Sequence, residues 1–110
     1  MDNDYVTVAR VGEIPEGKGA AFPVGDRVVA VFNDGGRYYA LDDRCPHMGA
    51  SLAVGCVEDG NVVCALHDWR FRLSDGTWAD YKNVKVDSFE VRVQDDEIQV
   101  HTAPRPKDES

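Results

Sequence analysis

Two short stretches of this chain each carry one thiol and one imidazole. Cys45-Pro46-His47 spaces them as C-x-H and Cys64-Ala65-Leu66-His67 as C-x-x-H, with sixteen residues from Met48 to Val63 between. No other feature constrains the fold so tightly. Residues this close in sequence share one loop, so the four side chains can converge only if the fold sets two loops side by side. The remainder is then expected to be a frame whose strand ends hold those loops.

At 110 residues the chain is expected to form one domain over 1–110, long enough for a core without staples. Twenty acidic residues against twelve basic ones give a net charge of −8. That argues against nucleic acid as a partner, because affinity for it comes largely from Lys and Arg neutralising phosphates. The surplus suits approach to a basic protein surface or serves only solubility. No run of about 18 apolar residues is present, so no membrane partner is expected. The acidic start Met1-Asp2-Asn3-Asp4 lacks the basic and apolar regions of a signal peptide. A cytoplasmic location is the expectation, and there cysteines serve metal binding or catalysis more than disulfides.

Tyr5 to Ala9 reads as a first strand, rich in β-branched and aromatic residues. Ile14 to Gly19 is a turn-rich loop. Arg27 to Phe32 is nearly continuous in apolar residues, which predicts a strand buried on both faces. Asn33-Asp34-Gly35-Gly36 turns the chain, and Arg37 to Leu41 returns as the second hairpin arm, ending close to Cys45. The segment from Ala53 must turn back at Asp59-Gly60, and Asn61 to Cys64 carries it into the second loop. Trp69, Phe71 and Leu73 alternate and share one face. Asn61–Cys64 and Trp69–Leu73 are thus expected to pair as a hairpin with the second loop at its tip. Glu90–Gln94 and Glu97–His101 form a last hairpin around Asp95-Asp96; the ordered part is expected over about 5–102, with 103–110 a disordered tail. Val84-Lys85-Val86 is too short to assign, and no amphipathic helix is evident. Short strands with turn signals between them indicate an all-β sandwich or barrel.

Thiolates are soft donors that suit iron–sulfur clusters, whereas imidazole suits iron and zinc. Replacing two thiolates of an all-cysteine cluster with neutral imidazoles removes two negative charges and eases reduction. A structural zinc site competes, but its common order is a C-x-x-C pair followed by a histidine pair. Here each loop carries one of each type. A catalytic cysteine–histidine pair would not need duplication.

The two stretches Cys45-Pro46-His47-Met48-Gly49-Ala50 and Cys64-Ala65-Leu66-His67-Asp68-Trp69-Arg70-Phe71 resemble the two loops of the Rieske [2Fe-2S] domain. The flanking strands are similar to that family over roughly residues 5 to 101. The resemblance implies an antiparallel β sandwich with a cluster-binding subdomain of two loops. It implies one [2Fe-2S] cluster per chain, with Cys45 and Cys64 on one iron and His47 and His67 on the other. High-potential members carry a further cysteine in each loop; the matching positions here, Ala50 and Leu66, cannot form that disulfide. Those members also place hydroxyl donors where this chain has Trp69 and Phe71. Each hydrogen bond to a charged group is worth about 1.5–3 kcal/mol, and about 59 mV corresponds to 1.4 kcal/mol for one electron, so two missing donors lower the potential by roughly 130–250 mV. The lower part of the Rieske range of about −150 to +300 mV is expected.

The other notable residues have plainer readings. Cys56 is expected to be a buried small hydrophobe, and His101 a surface residue. Trp69 and Phe71 pack beneath the cluster. Trp78 and Tyr81 form either a wall near the loops or part of the core, and Met48 is a possible shield. Asp42, Asp43, Glu58, Asp59 and Asp68 form either a docking rim or solvated turns.

The resemblance implies a soluble Rieske-type ferredoxin that carries single electrons from a reductase to a terminal oxygenase or similar acceptor. No G-x-G-x-x-G follows a strand, so no catalytic residue is assigned and catalysis by this chain alone is not expected. The sequence is also similar to the small subunit of assimilatory NAD(P)H-dependent nitrite reductase, in which a large partner would do the chemistry. A zinc-stapled interaction domain is the non-redox alternative.

Overall fold

A computed structural model describes residues 5–25, 27–44, 51–63, 70–74, 76–78 and 81–102, with side chains left aside at 78 and 81–85. Among the described residues twelve strands run in chain order: β1 Tyr5–Arg10, β2 Gly19–Val24, β3 Arg27–Asp34, β4 Arg37–Asp42, β5 Cys56–Glu58, β6 Asn61–Val63, β7 Arg70–Arg72, β8 Thr77–Trp78, β9 Tyr81–Lys85, β10 Ser88–Phe89, β11 Val91–Gln94 and β12 Glu97–His101. A 3-10 turn at Leu52–Val54 interrupts them. The strands form three antiparallel sheets, ordered β1-β12-β11, β10-β4-β3-β2 and β5-β6-β7-β8-β9. Among the described residues no helix is long and apolar enough to cross a membrane.

The expected burial of β3 on both faces is observed, and it explains the architecture. Val29, Ala30, Val31 and Phe32 are all fully buried. Because side chains alternate along a strand, they split between two cores. Val29 and Val31 join Ala40, Phe89, Ile98 and Val100, under the three-stranded sheet. Ala30 and Phe32 join Leu41, Leu52, Val62, Phe71 and Leu73, under the five-stranded sheet. The β3–β4 hairpin therefore separates a closing sheet from the sheet that carries the second loop.

The tight turns follow from local chemistry. Gly35 and Gly36 both have positive φ, as do Asp95 and Asp96, the conformation that a two-residue hairpin of matching twist requires. At the first turn the buried Asn33 accepts a bond from Gly36 N at 2.9 Å and donates one to Ile14 O at 2.8 Å.

Five strands, β2, β5, β8, β9 and β10, are not predicted by the sequence pattern, and two of them show why. β2 begins at a glycine and contains Pro23, both poor strand signals. Yet Pro23 faces solvent on an edge strand, where its missing N–H breaks no ladder. A Cβ on Gly19 would come within 2.6 Å of the Phe32 ring, so the close approach of β2 to β3 needs a glycine there. β5 is only three residues long and also lies at an edge.

Candidate metal centre

The first loop leaves from the end of β4. Arg44 pairs with Ser51 as an antiparallel bridge, closing the loop at its base. Asp43 makes the main fastening. Its Oδ1 accepts bonds from Ser51 Oγ at 2.8 Å and from Ala53 N at 2.9 Å. Its carbonyl accepts from Leu52 N at 2.6 Å, and its N–H donates to Val28 O at 3.0 Å. Asp42 holds the residue just before Cys45: its Oδ1 accepts from Arg44 N at 3.0 Å. The other Asp42 oxygen lies 3.2 Å from Arg27 Nη1, which also reaches Asp87 Oδ2 at 2.7 Å. Hydrogen bonding to Asp87 raises the Arg27 pKa above its ordinary value, with burial opposing and the charges of Asp87 and Asp42 adding to the rise.

The second loop leaves from the β6–β7 hairpin, as expected. Val63 pairs with Arg70, Val62 with Phe71 and Asn61 with Arg72. Val62 and Phe71 are fully buried, so a ladder resting on the core fixes this root.

The two roots touch. After the 3-10 turn, Gly55 N donates to Leu52 O at 2.9 Å, and a Cβ on Gly55 would lie 2.0 Å from Val63 O. Cys56 then pairs with Val63. The exit of the first loop therefore lies against the last residue before the second, at a distance only glycine permits.

All four predicted ligands, Cys45, His47, Cys64 and His67, fall outside the described residues. So do Met48, Ala50, Leu66, Asp68 and Trp69 and the tail 103–110, while the side chains of Trp78 and Tyr81 are left aside. The structure brings together the chain ends that flank the ligands. Among the described residues no group of three His, Cys, Asp or Glu side chains could hold a metal. The donor chemistry fits an iron–sulfur cluster: two soft thiolates and two imidazoles, on two loops whose roots abut.

Several expectations need correction. Cys56 is exposed rather than buried, because β5 is an edge strand and this residue lies on its outer face. Asp42 and Asp43 are not a free rim; both are engaged in holding the first loop. Glu58, by contrast, fits the solvated alternative: it lies 3.7 Å from Arg70, with both side chains more than half exposed. His101 is half-buried, its ring edge-on to Tyr5 with centroids 5.0 Å apart. Gly55 and Ser51 escaped notice in the sequence, since neither belongs to a ligand motif.

With the frame and the paired loop roots in place, comparison with known proteins defines the class. The chain matches the Rieske [2Fe-2S] domain family over residues 4–100 and belongs to that family. It is 34% identical over 108 residues to the ferredoxin component of the alkene monooxygenase system of Xanthobacter autotrophicus, covering 97% of this chain and 88% of that protein. Among solved structures it resembles a chain of the complex of reduced oxygenase and oxidised ferredoxin in carbazole 1,9a-dioxygenase. That likeness has a TM-score of 0.85 and 26% identity, and covers 94% of this chain and 98% of that one. It also resembles the putative NADH-dependent nitrite reductase small subunit of Mycobacterium tuberculosis, with a TM-score of 0.83 and 27% identity over 94% of this chain and 96% of that one.

Proposed function

We propose that this chain is a soluble, cytoplasmic one-electron carrier, the ferredoxin component of an oxygenase system. It receives electrons from a reductase and delivers them to an oxygenase or similar acceptor. One cluster per chain is held by Cys45 and Cys64 on one iron and by His47 and His67 on the other. When bound, such a cluster takes up and releases a single electron. The protein's own part is to fasten two donor loops to a rigid sandwich and to hold their roots in contact. The abutment of Gly55 on Val63, which draws the two donor-bearing loops together, carries this reading. The whole-length similarity to an oxygenase-system ferredoxin supports it.

The potential belongs in the lower part of the Rieske range of about −150 to +300 mV. Phe71 is fully buried, and neither it nor Trp69 offers a hydroxyl to stabilise the reduced centre. A redox titration of the purified protein, followed by electron paramagnetic resonance, tests the proposal. A red-brown protein with iron, acid-labile sulfide and a Rieske signal is expected. His47→Ala and His67→Ala each abolish or alter that signal. A colourless, iron-free protein, or a signal unchanged in both variants, overturns the assignment.

The likeness to a nitrite reductase small subunit supports a second reading. Co-purification separates the two. A large, stably bound partner supports the subunit, whereas a free protein reduced by a separate reductase supports the ferredoxin.

A further inference from the structure

We propose that Asp43 is a positioning residue for the cluster, acting by latching the first donor loop shut rather than by its charge. The inference rests on the function proposed above. Asp43 lies two residues before Cys45, and its bonds to Ser51 and Ala53 reach across to the other end of the loop. One carboxylate oxygen, Oδ1, takes both donors. Backbone bonds on either side of Asp43 tie the same residue to β3 and to Leu52. Entry, exit and sandwich thus meet at one residue.

The neighbouring Asp42 shows the contrast. It is paired with Arg27, whereas the partners of Asp43 among the described residues are hydrogen-bond donors. A carboxylate that only had to be negative would not need two donors converging on one oxygen. An asparagine keeps an acceptor oxygen at that place and loses the charge, while an alanine loses both.

The latch matters for the cluster because Cys45 and His47 ride on the loop it closes. With the latch removed, the Ser51 hydroxyl and the Ala53 N–H lose their acceptor, and the two ends of the loop are no longer tied through the Asp43 side chain.

The test compares Asp43→Ala, Asp43→Asn and Ser51→Ala with the unaltered protein. Three readouts are used: iron release to a chelator, the resonance spectrum of the reduced protein, and amide hydrogen exchange at Ala53 in the cluster-loaded protein. Asp43→Ala is expected to release iron roughly tenfold to a hundredfold faster, the factor expected from losing two ordinary hydrogen bonds. Its resonance lines broaden and its Ala53 amide loses protection. Asp43→Asn stays close to the unaltered protein in all three, and Ser51→Ala falls between. Unchanged iron release and line shape in Asp43→Ala overturn the inference. So does an Asp43→Asn variant as labile as the alanine, which would make charge the cause. Should Asp43→Ala not fold, judged by circular dichroism, Ser51→Ala decides: a shifted spectrum supports the latch and an unshifted one overturns it. An unaltered protein without iron or sulfide is a different failure, that of the proposed function, and is recognised before any variant is compared.

Discussion

The two loop roots do the same job by different means. The first is closed by a single backbone bridge reinforced by side chains, with one carboxylate spanning entry and exit and a second holding Arg44 N. The second is closed by a β ladder whose inward residues, Val62 and Phe71, are fully buried. Side-chain bonds near the surface contribute modestly, about 0.5–1.5 kcal/mol each and more for charged acceptors. Burial of a large aromatic contributes more. The entry of the first root is therefore expected to loosen locally, whereas its exit at the buried Leu52 and the second root hold until the core is damaged. Local opening with the global fold intact is the ordinary behaviour of segments held by few buried contacts.

The comparison breaks most visibly at Phe71. Phe71→Ala is expected to lower the unfolding free energy by about 3–5 kcal/mol, as for other buried aromatics, measured by denaturant titration. A loss under about 1 kcal/mol would mean that the second root does not rest on the core. Gly55→Ala comes next, because it strikes the contact between the roots. Its Cβ would sit 2.0 Å from Val63 O, and neither backbone can yield alone. Overpacking of this kind costs about 1–3 kcal/mol. Iron and sulfide content should also fall together, since both loops shift. Normal content at normal stability would show that the roots need not touch.

Much of this arrangement was readable in the sequence, for reasons that differ by element. β3 was legible because five consecutive apolar residues can only be a strand covered on both sides, and both cores are there. The family was legible because the C-x-H and C-x-x-H pairs resemble its two loops, while the four donors themselves lie outside the described residues. The β6–β7 hairpin followed from alternation at Phe71 and Leu73. The fastening was not legible. The partners of Asp43 lie eight and ten residues away, across a loop whose closure no periodicity announces. Gly55 matters only through the Val63 carbonyl, which the β5–β6 ladder brings to it. Cys56 was misread because a small thiol is usually buried, and only the edge position of β5 exposes it.

The smallest expected effect sharpens the comparison most, because it separates charge from geometry within the first root. Arg27 bridges Asp42 and Asp87 and lies over the Phe89 ring, 5.7 Å from its centroid. Its side chain is 39% exposed, so water screens both pairs. Exposed pairs are worth about 0–1 kcal/mol. Arg27→Met keeps the apolar stem against Phe89 and removes the charge. It is expected to lower stability by about 1 kcal/mol or less, with the difference shrinking as salt shortens the screening length below about 10 Å. Asp42 Oδ1 still accepts Arg44 N in this variant, and Asp43 is untouched. The resonance spectrum should therefore match the unaltered protein. A loss above about 2 kcal/mol, or a changed spectrum, would show that the first root leans on the ion pairs. A small, salt-sensitive loss with the spectrum intact leaves the carboxylate hydrogen bonds as what holds the loop.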